Sequence, residues 1–320
     1  MLQHHRSSHS PIPRVVILGA GGFLSPVLRR NLAAHGANVI ALSSADVDLT
    51  QASAAVQLAA HIQPGDAVVM AAGLTPDKGK NTATLLANLR MAEAVAQAIE
   101  KTRPAHFLYI SSDAVYDARY SSLLSEDSTC EPSDLYALMH VSREKILGQA
   151  CQQAGVPLAI VRPSAIYGPG DTHNSYGPNR FLRTALATAK ISLFGLGLER
   201  RHHVFVEDVA ELIRLCLACG STGVINAVTG RAVTFGEVAR MISRIVGSGV
   251  TVENLPAASA VTHRHFDTRA LTLAFPAFKA TELVNGLQLT YSALSSTSGL
   301  AALSNASPAV LKEEAVCPQP

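Results

Sequence analysis

The strongest constraint on this chain lies near its start, where Val15-Val16-Ile17-Leu18 runs straight into Gly19-Ala20-Gly21-Gly22-Phe23-Leu24-Ser25. Four aliphatic residues with no polar alternation suit a strand buried on both faces of a parallel sheet. A glycine cluster directly after such a strand suits a tight turn into a helix whose first backbone N–H groups stay accessible. The alternation then repeats. Helical patterns at 23–35, 52–61, 82–100 and 133–154 alternate with short apolar runs at 38–42, 66–70, 106–110 and 157–161. Strand and helix at this pitch predict βαβ units and an α/β fold with a doubly wound parallel sheet. The sheet domain is expected over residues 14–170. Residues 171–294 are expected to form a smaller lobe that returns some segments to the core. Residues 1–13 and 295–320, which lack periodicity, are expected to be disordered tails.

Composition decides what such a chain can partner. Apolar residues make up 48% and charged residues 16%, enough apolar side chains for a sizeable core. The 26 Lys+Arg nearly balance the 24 Asp+Glu, and no basic cluster is longer than a pair, so no nucleic-acid partner is expected. No apolar run is long enough to span a membrane and the first residues lack an apolar signal core, so a cytoplasmic location is expected. The five cysteines are scattered and odd in number, as for reduced thiols. Cys216 and Cys219 form a CxxC inside a helical pattern that ends at Gly220, with no second pair at zinc spacing. His202, His203, His263 and His265 have no Cys, Asp or Glu at ligand spacing, so no metal is expected.

The glycine turn, following the first strand of a doubly wound sheet, points to a dinucleotide, with the pyrophosphate at the helix N-terminus. Gly19, Gly21 and Gly22 form the turn, Phe23 and Leu24 open the helix, and Ser25 takes a third glycine's place. An acidic residue at the end of the second strand would select NAD. Ser43 and Ser44 stand there, with neither a carboxylate for a ribose hydroxyl nor an arginine for a 2′-phosphate. The expected cofactor is therefore NAD or NADP, with NADP favoured. Asp48, beside Leu49, is placed either to bond the adenine amino group or to cap a helix.

Further motifs follow in order: Val69-Met70-Ala71-Ala72-Gly73, Asn88 in the long Ala-rich helix, Tyr109-Ile110-Ser111-Ser112-Asp113-Ala114-Val115-Tyr116, Arg162-Pro163-Ser164 through Gly170, and Val204 through Ala210. Together with the Gly19/Gly22/Ser25 spacing they resemble the extended short-chain dehydrogenases/reductases, the NAD(P)-dependent epimerases, dehydratases and reductases of nucleotide sugars, over most of residues 14–290. The resemblance implies a Rossmann-type domain. It implies cofactor contacts from Ala71, Ala72, Gly73, Asn88, Ser111 and Pro163 besides the glycine turn, and a helix-paired homodimer through segments 82–100 and 133–154.

Hydride transfer between a carbinol and a nicotinamide needs a group that gives or takes the hydroxyl proton. Ser112 and Tyr136 match the family's pair. Four residues after Tyr136, on the same helical face, the family carries a lysine. Here that residue is His140, and Glu144, four further on, keeps the register. An unperturbed imidazole is mostly neutral at pH 7, so His140 is expected to bond a ribose hydroxyl while acidifying Tyr136 less than an ammonium would.

Family dehydratases carry an acidic pair after the Ser/Thr. Here Asp113 is followed by Ala114, which disfavours water elimination and resembles ketoreductases of deoxysugar nucleotides. Asp113, Asn179, Arg180, Arg201 and Arg269 are the expected substrate contacts, the guanidinium groups suiting diphosphate oxygens. The expected function is 4-keto reduction or 4-epimerisation of a nucleotide-activated sugar. The alternative is a catalytically silent dinucleotide-binding protein that senses redox state or serves as a scaffold.

Overall fold

The computed structural model describes residues 2–116, 123–257 and 260–296. Of the stretch expected to be a C-terminal tail, residues 297–320 lie outside the described residues. Six strands form one parallel sheet: β1 (Val15–Leu18), β2 (Val39–Leu42), β3 (Ala67–Met70), β4 (His106–Ile110), β5 (Leu158–Pro163) and β6 (Gly223–Ala227). Their lateral order is β2-β1-β3-β4-β5-β6. β1 and β3 are buried along their whole length, which is why they read as unbroken apolar runs. The chain leaves β1 toward β2 on one side and returns to β3 on the other. At such a reversal, the carboxyl ends of the strands open a crevice for a ligand.

The longer helices are α1 (Leu24–Ala34), α2 (Ala54–Ala59), α3 (Thr82–Thr102), α4 (Leu135–Ala154), α5 (Pro178–Thr188), α6 (Val206–Ala218), α7 (Phe235–Val246), α8 (Arg269–Ala274) and α9 (Leu283–Ser295). α1 and α6 cover one face of the sheet, packing Leu28, Leu32, Val209 and Ile213 on Val15, Ile17 and Val69. α2, α3 and α4 cover the other, packing Leu58, Val95, Ile99 and Leu147 on Val16, Val68 and Phe107. A third core belongs to the lobe, where α5, α7 and α9 surround Ile191 and Leu193. The lobe also contains a parallel strand pair, Lys190–Phe194 with Thr251–Leu255. β6 and α6 come from beyond residue 171 yet belong to the sheet and its covering layer.

Part of the segment expected to be an N-terminal tail has a place. Gln3 forms an antiparallel bridge with Thr222, the His5 and Arg6 amides donate to the Cys219 carbonyl, and the Arg6 guanidinium donates to the Leu217 carbonyl at 2.9 Å. Its polar side chains find partners on the surface beside β6, which no periodicity in the sequence signals. Among the described residues no helix is long and apolar enough to cross a membrane. Cys151, Cys216 and Cys219 are buried free thiols, and burial pushes their pKa up.

α4 carries the residues of most interest, and its position is fixed at both ends and in the middle. Asp134 caps it by accepting from the Ala137 amide at 2.7 Å, and Gly155 ends it with φ +68°. Halfway along, Glu144 meets Arg162 of β5 in a buried two-point ion pair, 2.9 and 2.6 Å. Arg162 also donates to the Tyr116 hydroxyl, which in turn donates to Asn226 of β6. α4 is thereby tied to the sheet at a set height, and its first turn hangs over the carboxyl ends of β3 and β4.

Candidate active site

The glycine turn requires its glycines where they pack. Gly19 has φ +99°, and a Cβ there would lie 2.8 Å from the Ala72 backbone. Ser25, 2% exposed, donates to the Gly19 carbonyl at 2.7 Å, so the third position stabilises the turn through a hydroxyl rather than through absence of a side chain. The N-terminus of α1 has no side-chain cap and no acidic residue in its first turn. Its amides remain available to an anion.

Beside this turn lies a cleft of about 450 Å³ between the sheet domain and the lobe. Gly22, Phe23 and Leu24 form one edge, and Ala71, Ala72 and Gly73 form the floor at the end of β3. Ser111, Ser112 and Asp113 after β4, Tyr136 and His140 of α4, and Pro163 at the end of β5 complete the inner wall. The lobe contributes Asn179 and Arg201. Residues spread from 22 to 201 along the chain thus face one space.

Tyr136 and His140, four apart on α4, meet edge to face with ring centroids 4.8 Å apart. Burial pushes the Tyr136 phenol up to about 12, and the hydrogen bond to Ser112 only partly offsets this. Burial also holds the His140 imidazole down at about 3, with the positive charge of Arg143 adding to the effect. His140 is therefore neutral across the physiological range. Its Nδ1 lies 2.8 Å from the Tyr109 hydroxyl, whereas Nε2 is buried without a partner.

Two cleft arginines escaped the sequence reading. Arg143, 1% exposed, donates to the backbone carbonyls of Asn88 and Ala72 and lines the floor through the space left by Gly73. Its signal was present: seven residues after Tyr136, it is a charge on the buried face of α4. Arg264 had no such signal, since it follows an irregular segment of the lobe. It reaches across to Asp113 at 3.1 Å, and Asp113 also accepts from Ser164 at 2.8 Å. Arg201 is steadied by the Thr262 carbonyl and hydroxyl, and burial, with Arg264 nearby, lowers its pKa. The Nε of Arg264 is buried and unpartnered. Two guanidinium groups with one carboxylate make this end of the cleft receptive to an anion.

Other expected contacts lie outside the cleft or are bonded to the protein itself. Asn88 is 2% exposed and spends both ends of its amide on Leu74, accepting from its N–H at 2.9 Å and donating to its carbonyl at 3.0 Å, so it braces the loop after β3. Asp48 caps its own turn, accepting from the Thr50 amide and hydroxyl and from Gln51. Leu49 is a core residue under α2. Ser111 lines the cleft but donates its hydroxyl to Glu144 at 2.6 Å. Gly21 is exposed, with open space around it. Ser43 and Ser44 follow β2, outside the cleft, and a carboxylate does reach this strand end. Asp46 folds back to accept from the Ser43 N–H and hydroxyl at 2.8 and 2.7 Å. Arg180 is half-buried on α5 outside the cleft lining. Arg269, with its side chain 85% exposed, pairs with Asp267 two residues away, because the start of α8 points it into solvent.

Residues 15–228 match the NAD dependent epimerase/dehydratase family. The chain belongs to that family. Among its curated family relatives, a dTDP-4-dehydrorhamnose reductase of Mycobacterium tuberculosis is 31% identical over 170 residues, covering 49% of this chain and 51% of the relative. The chain thus spans about half the length of that protein. A dTDP-4-dehydro-6-deoxy-D-allose reductase of Streptomyces bikiniensis is 26% identical over 267 residues, covering 73% of this chain and 81% of that one. A Thermus thermophilus UDP-glucose 4-epimerase in complex with NAD superposes with a TM-score of 0.78 at 19% identity, covering 89% of this chain and 99% of that chain. At that identity the likeness establishes the fold alone.

Proposed function

We propose that this chain is an NAD-dependent reductase of a nucleoside-diphosphate 4-keto sugar. The observation that carries the reading is the Ser112–Tyr136 pair, set in the cleft beside the glycine turn, with burial pushing the phenol pKa up to about 12. A group that stays protonated suits donation to a ketone oxygen. The 4-epimerisation alternative begins with alcohol oxidation, which needs the same phenol as a base. The relative from Streptomyces bikiniensis, matched over 73% of this chain and named a dTDP-4-dehydro-6-deoxy-D-allose reductase, supports the same choice.

The residues present fit a dinucleotide. Gly19 leaves room that a Cβ would fill, the α1 amides are uncapped, and the buried Nε2 of His140 lacks an acceptor that a ligand hydroxyl would provide. A bound reduced nicotinamide supplies the hydride. Tyr136 gives its proton to the oxygen that becomes the hydroxyl, and Ser112 holds that oxygen by a hydrogen bond. Arg201 and Arg264 take the diphosphate, the unpartnered Nε of Arg264 gaining an acceptor. Asp113, released from Arg264 by that anion, is free to accept from a sugar hydroxyl. Asn179, 6% exposed, is committed to the Gly168 amide at 3.1 Å and shapes the wall. The choice of cofactor follows Asp46: an exposed carboxylate at the end of β2 repels a 2′-phosphate, which tips the preference to NAD and revises the sequence expectation of NADP.

The test is a panel of 4-keto sugar nucleotides assayed with NADH and with NADPH. NADH consumption with a stoichiometric hydroxy-sugar product is the expected result. A nicotinamide that stays bound through purification, with interconversion of 4-epimers and no net consumption, would replace this reading by the epimerase. Dinucleotide binding without turnover on any member would replace it by the silent binder.

A further inference from the structure

Among the described residues, His140 is the polar side chain of the inner wall whose buried ring nitrogen is left without a partner. It is 6% exposed and lines the cleft, and its Nε2 has no partner among the described residues. Its other nitrogen lies 2.8 Å from the Tyr109 hydroxyl, on β4 beneath it. The groups that face the imidazole are Tyr136 and Arg143 from its own helix and Tyr109 from β4. The neighbours favour one arrangement of protons. The Arg143 guanidinium, which has donors only, lies near the Tyr109 oxygen and favours its lone pairs, so the phenol proton is better placed on the side away from it. The acceptor within reach is Nδ1 of His140. The opposite tautomer, with Nδ1 protonated, would turn the phenol proton toward a guanidinium and leave it unpaired in a buried site.

We propose that Tyr109 is a positioning residue, its phenol oriented by Arg143 and locking His140 as the Nε2–H tautomer, so that α4 offers a ligand hydroxyl in the cleft one neutral donor at a fixed place. This rests on the reading of the cleft as a dinucleotide and sugar site. The permanent positive charge of this wall belongs to Arg143, three residues along the helix. Its guanidinium is anchored on the Ala72 and Asn88 carbonyls and on the Met91 sulfur. Two tasks are thereby divided: Arg143 carries the charge and His140 carries the directed hydrogen bond.

The tautomer can be read without any turnover. Long-range ¹H–¹⁵N correlation of the ¹⁵N-histidine-labelled protein reports it, with the His140 signals assigned by their absence in His140→Gln. The expected spectrum shows Nε2 protonated and Nδ1 not, unchanged from pH 5 to 9. A protonated Nδ1, or a titration near pH 6.5, overturns the proposal. Tyr109→Phe keeps the ring and removes the hydroxyl. It should bring in the other tautomer and weaken NADH binding, followed by dihydronicotinamide fluorescence, by about two- to tenfold, the worth of one neutral hydrogen bond. A variant that merely loosens the core would melt earlier with its tautomer unchanged, and that result also overturns the proposal. If the wild type binds no dinucleotide, the functional reading fails, while the tautomer spectrum still decides the role of Tyr109.

Discussion

Tyr136 is the residue through which direction enters the proposed reaction. Its phenol is pushed up to about 12 because burial penalises the phenolate and the imidazole four residues on is neutral. The sign follows directly. Reduction uses the protonated form, which is full at every pH below the raised value, so the reductive rate should be flat from about pH 6 to 9. Oxidation uses the deprotonated form, so its rate should climb about tenfold per pH unit with no plateau below pH 9. A pH profile of both directions checks this, and an oxidative plateau near neutrality would remove Tyr136 as a high-pKa acid. Tyr136→Phe should lower kcat by roughly 10² to 10⁴ with the melting temperature kept, the usual contribution of a positioned proton donor. Asp46 sets the second expectation at this scale. Asp46→Ser removes the carboxylate at the end of β2 and should narrow the NADH-over-NADPH preference in kcat/KM about tenfold, the order of one like-charge contact near a surface. An unchanged ratio would place the 2′ position of the ribose away from Asp46.

At the scale of elements, α4 depends on the Glu144–Arg162 pair, whose side chains are 10% and 6% exposed. Arg162→Met leaves a buried carboxylate without its partner and should destabilise the fold by about 3–5 kcal/mol in urea unfolding, whereas the double replacement Glu144→Leu/Arg162→Met should lose less than either alone. Gly19→Ala forces a side chain into φ +99° and against the Ala72 backbone, so dinucleotide affinity should fall steeply even where the protein still folds. How far such elements are legible in the sequence depends on how local their causes are. β1 and β3 are legible because burial on both faces writes itself as an unbroken apolar run, and α4 because Asp134, Gly155 and the Tyr136/His140/Glu144 register all lie within one segment. Asn88 lies on the helix that the sequence indicates, but its bonds to the Leu74 backbone follow from how the loop after β3 closes and have no local signal. Arg264 and Arg269 stand five residues apart, the second at the start of α8. Only the folding of the lobe over the cleft decides that the first enters and the second faces water.

At the scale of the whole molecule, the two longest helices, α3 and α4, lie against the same face of the sheet, and their outer surface is not covered by the lobe. Leu86 on α3 and Leu138 on α4 are exposed at 47% and 38%, and Leu86 lines a shallow apolar groove with Leu89, Ala96 and Ile146. Arg90 and Glu93 are exposed along the same groove, three residues apart on α3. A two-fold axis through this face sets the surface against itself, so that Arg90 of one copy can meet Glu93 of the other while the leucines are removed from water. Two helices from each copy would then form a four-helix interface, and a homodimer is the expected state in solution. Neither leucine lines the cleft, so the interface can be tested apart from the chemistry. Light scattering should give twice the chain mass for the wild type and the single-chain mass for Leu86→Glu/Leu138→Glu, with NADH affinity changed by less than about twofold. A monomeric wild type would rule this interface out, and a dimer that survives both charges would place the contact on another face.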